Sequence, residues 1–287
     1  MSNAGADTAM EAGGGHKTGA ATRVIAAIGV PVAEAIRFAG AMTLLALSAV
    51  GWLYKSLVLR RYRFGMPALY SQMVRVGVRS VGVILLVNGC IGLILALQMA
   101  PPLVEFGQTD KVANIIAVAV VRELGPLICA IVLTGFAGAS ITAELGTMVV
   151  GEEIEALQAH ALNPVRFLVV PRMLATIVCL VVLTVFGEFI AIACGWAISV
   201  SLLGIPSGVY IGNTLDQLDL VDYFIGLWKS GVFGLLLGAI ACHNGLSVKG
   251  GAAGVGRATT STVVLSIVAV IFTDLVFTAM FYKLGWT

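Results

Sequence analysis

VANIIAVAVVRELGPLICAIVLTGFAGASITAELGTMVV, residues 112–150, holds only three charged side chains, Arg122, Glu123 and Glu144, in thirty-nine positions. A hydrocarbon layer offers no water to backbone amides, so a stretch this long and apolar satisfies them internally as a membrane-crossing helix, for which about 20 residues suffice. Four more apolar stretches, 81–104, 167–203, 223–242 and 259–282, read the same way. With 59% hydrophobic and 11% charged residues and a mean hydropathy of +1.01, the composition excludes a water-soluble domain, where charged residues run near 25%. The 287 residues are used up by spans and short connections, leaving little room for a separate soluble enzyme domain. A net charge of +2 gives no reason to expect nucleic acid; the expected partners are lipid and protein.

The fold class expected is therefore an all-α integral membrane protein. Residues 1–22 read as a disordered tail and 23–64 as an interfacial helix region. Within 24–54, Pro31, Glu34 and Arg37 interrupt the apolar run and only 38–54 is uncharged, which favours a helix lying at the interface over a sixth crossing. Lys55, Arg60, Arg61, Arg63, Arg75 and Arg79 precede the first span, Arg166 and Arg172 lie between the second and third, and Lys249 and Arg257 between the fourth and fifth. The opposite loops hold only Lys111 and Lys283, with Asp216, Asp219 and Asp222 in 205–222. The positive-inside rule places the basic loops and N-terminus in the cytoplasm and the C-terminus on the other side. The third stretch, about 55 Å as one helix, is expected to tilt, to bend near Gly187 or Gly195, or to project from the membrane. Gly204 to Gly208 reads as a turn, Asp216 to Asp222 as a short exposed helix or loop, and Gly250 to Gly256 as a flexible cytoplasmic loop. Cys90, Cys129, Cys179, Cys194 and Cys242 sit in apolar runs without ligand spacing and read as small core residues.

Arg122, Glu123, Glu188, Lys229 and Asp274 fall inside spans. Unpaired, they would cost on the order of 10–15 kcal/mol, so partners or a polar path are expected. Glu123 and Lys229 have similar depths and could meet across helices, with Asp274 a second partner for Lys229. A static structural pair and a path for a substrate with a charged head and an apolar body both remain open. Glu144 and Arg172 lie nearer the cytoplasmic ends, where snorkelling makes a charge cheap, and read as anchors.

Between the second and third spans, residues 151–163 read as a short cytoplasmic helix. Glu152, Glu153 and Glu155 suit its N-terminal dipole and Asn163-Pro164 stops it. Ile154, Leu157 and Ala161 make one apolar face, on a helix too short to stand alone. A docking surface for a cytoplasmic partner fits better than a rest on anionic headgroups, which attract basic segments.

Several ordered motifs carry a family resemblance: Arg122-Glu123-Leu124-Gly125-Pro126; Ala137-Gly138-Ala139-Ser140 leading to Thr142-Ala143-Glu144-Leu145-Gly146-Thr147-Met148; Asn163-Pro164 with Pro171-Arg172; and Gly254-Val255-Gly256-Arg257-Ala258-Thr259-Thr260 with Val263-Val264. Over about residues 65–283 the chain resembles the MlaE (YrbE) permease family of lipid-transporting ABC systems. The resemblance implies a homodimer of 65–287 permease domains in a bacterial inner membrane, each with an elbow helix and five spans. It also implies cytoplasmic ABC ATPase subunits engaging 151–163 as a coupling helix, a STAS-domain protein on those ATPases, and a periplasmic ring of MCE-domain proteins exchanging phospholipid. In that family, charged positions matching Glu123, Lys229 and Asp274 lie in or near the central lipid cavity. Where the family often has Gly-Arg-Ala-Gly, this chain has Gly135-Phe136-Ala137-Gly138, and that position is assigned no role.

Gly13 to Thr18 fails the phosphate-loop pattern because His16 replaces the second glycine, so ATP and Mg²⁺ are expected on a partner chain. Metal and nucleophile sets are not evident, and the chain is not expected to be an enzyme. A stand-alone proton- or ion-coupled transporter using Glu123, Glu188 and Asp274 is the competing reading, and a non-transporting scaffold a third.

Overall fold

The computed structural model describes residues 20–57 and 66–285. Most of the expected tail, together with Arg60, Arg61 and Arg63, lies outside them. The helices are α1 (Ala20–Leu57), α2 (Met66–Glu105), α3 (Val112–Val150), α4 (Glu153–Ala159), α5 (Val165–Ser201), α6 (Ser207–Gln217), α7 (Leu220–Leu246) and α8 (Gly251–Leu284). Among the described residues there is no strand. Helices α2, α3, α5, α7 and α8 are each long and apolar enough to cross a membrane. In α1 the apolar part is Ile36–Trp52, short of the roughly 20 residues a crossing takes. Residues up to Thr43 form one unit and those from Leu44 another. Within the second, Leu45, Ala46, Ala49 and Trp52 pack on the main apolar cluster, and the Arg166 guanidinium stands 5.8 Å from the Trp52 ring centre.

Helix α5 is the hub, packing against both α2 and α7, while α8 packs on α3 and α7. Small residues set these approaches, because backbones draw close only where no side chain intervenes. A Cβ on Gly92 of α2 would lie 1.9 Å from the Ala191 carbonyl of α5, and one on Gly234 of α7 would lie 2.8 Å from Ile177 Cα. Thr142 of α3 joins three helices, its hydroxyl 3.1 Å from the Ala241 carbonyl and 2.9 Å from Thr262 Oγ1, which accepts from Asn244 at 2.9 Å.

Among the described residues, four π turns interrupt the α-helical register, at Val74–Val78, Val120–Leu124, Thr134–Gly138 and Val165–Val169. Two have a cause legible in the chain. The Gly125 N–H donates to Val120 O and the Val170 N–H to Val165 O, and in each case the next residue is a proline, Pro126 or Pro171. A proline has no N–H to continue the ladder; widening the turn just before it is one of the ways helices absorb that loss.

Several boundaries depart from expectation. Helix α2 starts at Met66 and α8 at Gly251, well before 81 and 259. The expected flexible loop 250–256 is a chain reversal only at Gly250, whose φ of +88° and Gly251's of +65° need glycine. Gly254 is then helical, against the Lys249 carbonyl that a Cβ would reach at 2.0 Å. Helix α5 runs unbroken through Gly187 and Gly195, which serve instead as contact points for Asn88 with Cys129 and for the Tyr210 hydroxyl. Helix α6 occupies 207–217, so only Asp216 of the three acidic residues there is in it, and Asp219 and Asp222 form the capping box that starts α7. Cys129, Cys179 and Cys242 are core residues, whereas Cys194 is half-buried and Cys90 exposed.

Replacing Gly92 with Ala is expected to lower the thermal midpoint of the purified protein, at a cost of about 1–3 kcal/mol. Gly82→Ala, with nothing within 4 Å of its new methyl, is expected to leave the midpoint level or raise it. Equal losses in scanning calorimetry would refute the close-approach role of Gly92.

Candidate functional site

Five ionisable residues inside spans were singled out above, and the structure joins three of them. Lys229 of α7 is fully buried, and its Nζ lies 2.6 Å from Glu123 Oε2 of α3 and 3.0 Å from Asp274 Oδ1 of α8. Desolvating an ammonium costs several kcal/mol unless charges and hydrogen bonds repay it, and two carboxylates from two other helices do so here. Thr278 completes the group: its hydroxyl is 3.2 Å from the ammonium, 3.1 Å from Glu123 Oε1 and 2.9 Å from the Asp274 carbonyl. Sequence reasoning missed Thr278, although it sits one helical turn after Asp274, the spacing that puts both on one face.

Glu123 and its neighbour Arg122 both belong to the π turn Val120–Leu124. Arg122 Nε is 3.4 Å from Asp222 Oδ1 in the first turn of α7, and Asp222 Oδ2 accepts from the Asp219 N–H at 3.3 Å. The carboxylate therefore caps α7 and pairs with Arg122 at once, a second role invisible in the local sequence. A cleft of about 1030 Å³ opens beside this pair, lined by Arg122, Asp219 and Asp222 and by the apolar Phe224, Trp228 and Met280. A smaller cleft of about 230 Å³, sharing Val118, Arg122, Ile225 and Phe281 with the first, reaches Glu123 and Thr278. The lining mixes charged with aromatic and aliphatic side chains, which makes this an amphipathic recess. Glu188 stands apart: it is 1% exposed, has no ion-pair partner among the described residues, and lines neither cleft.

A second charged cluster lies toward the α4 end. Glu144 of α3 pairs with Arg75 of α2 and, at 3.2 Å, with Arg172 of α5. Arg172 is 5% exposed and also donates to the Leu168 carbonyl at 2.9 Å. Glu144 and Arg172, expected as anchors near the span ends, pair with each other, and with Arg75 the group ties three helices together. Depth along a helix can be counted from sequence, but the direction a side chain takes around it cannot.

Helix α4 is shorter than the 151–163 expected. Glu152 caps it in a left-handed conformation, φ 58°, and Glu153 opens it. Ile154 and Leu157 are half-buried, while Ala161 lies beyond the helix end with φ 57° and is exposed, so it leaves the apolar face that i, i+7 spacing assigned it. Asn163 does not stop α4; its Oδ1 accepts the Val165 and Arg166 N–H groups at 3.0 and 3.4 Å and so caps the start of α5. Phe136, at the position where the resembled family often has arginine, is 48% exposed in the π turn Thr134–Gly138. Among the described residues, no group of three or more His, Cys, Asp or Glu is placed to hold a metal ion.

Residues 69–280 match the model of the family described as Permease MlaE. A "Probable ABC transporter permease protein" of Rickettsia felis is 34% identical over 80% of this chain and 85% of its own length. One of Synechocystis is 35% identical over 71% of this chain and 78% of its own. "Protein TRIGALACTOSYLDIACYLGLYCEROL 1, chloroplastic" of Arabidopsis thaliana is 32% identical over 74% of this chain and 61% of its own.

Lys229→Met is expected to destabilise the chain by about 3 kcal/mol, the lower end of the range for breaking a buried pair, because Glu123 is partly exposed. Adding Glu123→Gln and Asp274→Asn to it should recover most of the loss in thermal unfolding. A triple variant no more stable than the single one would show that the cluster is not held by its charges.

Proposed function

The chain belongs to the MlaE permease family, and from that premise we propose that it is the membrane-embedded half of an ABC transporter that moves phospholipid between the bacterial inner membrane and a periplasmic MCE-protein carrier. The single observation that carries this reading is the pair of adjoining clefts, one lined by Arg122, Asp222, Phe224, Trp228 and Met280 and the other by Arg122, Glu123 and Thr278. It offers ion-pairing groups to a headgroup and apolar surface to acyl chains. The permease relatives support the ATP-driven class, and a relative with a glycolipid in its name supports a lipid cargo.

Two copies would pack about a two-fold axis through the outward apolar side chains of α8, among them Val268, Phe272 and Leu275, more than half exposed in the single chain. Their recesses would then face a shared cavity. A lipid phosphate entering it meets Arg122, which lines both clefts, and competes with Asp222 for it. The N-terminus and α4 lie on the cytoplasmic side and the C-terminus on the periplasmic side in this reading, with α1 as an elbow at the interface. ATPase subunits, carrying ATP and Mg²⁺ and bearing a STAS-domain protein, dock on Glu152, Glu153, Ile154 and Leu157. Their closure pushes α4, and through the Glu144 ion cluster near its end moves α2, α3 and α5 together.

Reconstituted with its ATPase in vesicles carrying labelled phospholipid, the chain should move lipid only with ATP. Glu123→Gln should cut that flux by at least about tenfold, or ~1.4 kcal/mol of barrier, while ATP hydrolysis persists. Flux that follows a pH gradient without the ATPase would replace this reading with a proton-coupled carrier. Leu157→Glu is expected to release the ATPase during co-purification; retention at normal yield would remove α4 as the docking site.

A further inference from the structure

Glu188 sits in the middle of α5, 1% exposed, with neither carboxyl oxygen hydrogen-bonded. Two glycines from neighbouring spans make its slot. A Cβ on Gly125 of α3 would meet Glu188 Cγ at 2.6 Å and Oε1 at 3.1 Å, and a Cβ on Gly226 of α7 would stand 3.5 Å from the same Oε1. The side chain occupies the space that a Gly125 methyl would need and lies in ordinary contact distance of the Gly226 position. The titratable groups near it are Cys129 of α3 and Tyr223 of α7, neither of them cationic. The cations on the adjacent helices are committed elsewhere, Arg122 to Asp222 and Lys229 to Glu123 and Asp274. On α2, the neighbouring Asn88 donates to Ile84 O at 2.9 Å and lies 3.4 Å from Cys129 Sγ.

The backbone supplies a complementary defect at the same place. In the π turn Val120–Leu124 the Gly125 N–H is bonded to Val120 O. The carbonyl of Val121 has therefore lost its α-register donor, and its π-register donor would be Pro126, which has none. That carbonyl points at Gly226, where a Cβ would lie 2.2 Å from it, so it shares the slot with the Glu188 carboxyl. A carboxylate here would set unpaired anionic oxygens beside the negative end of a carbonyl dipole, in surroundings that charge buried ions heavily. A neutral acid has one O–H, and the stranded carbonyl is an acceptor without a donor.

We propose that Glu188 is a stably protonated carboxylic acid that donates its hydrogen bond to the Val121 carbonyl, latching α5 to the π turn that presents Arg122 and Glu123. Glu188 is then a positioning residue and the proton its ligand. Nothing in this depends on the cargo being lipid, so it stands or falls separately from the transport reading.

The test is infrared spectroscopy of the full-length chain in lipid nanodiscs at neutral pH, as the difference between wild type and Glu188→Gln. The expected result is a protonated-carboxyl C=O band in the wild type that the variant lacks. A difference showing only the loss of carboxylate bands overturns the proposal. Thermal unfolding supplies the second readout, since the Gln amide keeps a donor and Leu does not. Glu188→Leu is expected to melt roughly 3–8 °C below Glu188→Gln. Equal midpoints, with Gln as damaging as Leu, would also overturn the latch.

Discussion

An ammonium that touches no water has to be answered by carboxylates brought from elsewhere in the chain, and Lys229 is such a group. Its partners come from α3 and α8, the first separated from α7 by α4, α5 and α6 and the second following it after a short turn. In hydrocarbon the penalty for failing to assemble them is far greater than any gain from assembling them. The cluster therefore acts as a condition on folding: α3, α7 and α8 must arrive together or not at all. The glycines of α7 and the Thr142–Thr262–Asn244 contacts give the same three helices the closeness the ion group needs.

That condition is what made the centre of the site readable from the chain alone. A charge inside an apolar run requires a partner, and counting residues from the span ends placed Glu123 and Lys229 at matching depths. The five spans were readable for the same reason of transfer cost. Direction around a helix was not readable, so the sequence marks Glu144 and Arg172 as anchors but does not show that Glu144 pairs with both Arg172 and Arg75. Span ends blurred where small polar or glycine residues precede an apolar run, as before 81 and 259, since nothing in composition separates a helical Gly254 from a looping one. The apolar spacing that enrolled Ala161 in α4 failed because the chain turns left-handed there.

The π turns were legible only in part. Pro126 and Pro171 announce that an N–H will be missing, yet a kink, a break or a widened turn would each accommodate that loss. Packing selects the widened turn, for a sharp kink in α3 would pull Glu123 away from Lys229. Thr134–Gly138 has no proline behind it, and no account of its widening follows from the residues around it.

Each π turn inserts one residue beyond what the α-helical repeat needs, and α3 contains two. A wheel drawn at 100° per residue from Val112 to Val150 is consequently out of phase after Leu124 and again after Gly138, by about 200° in all at the far end. Glu123 and Glu144, both in α3, are aimed by different phases of one helix. Deleting a single residue between Val120 and Leu124 would leave a span of nearly unchanged length and hydropathy, and it would turn Glu144 by about 100° relative to Arg75 and Arg172, its partners on α2 and α5. In α3 regularity and correctness are opposed, and the length of the span carries information that its hydrophobicity does not.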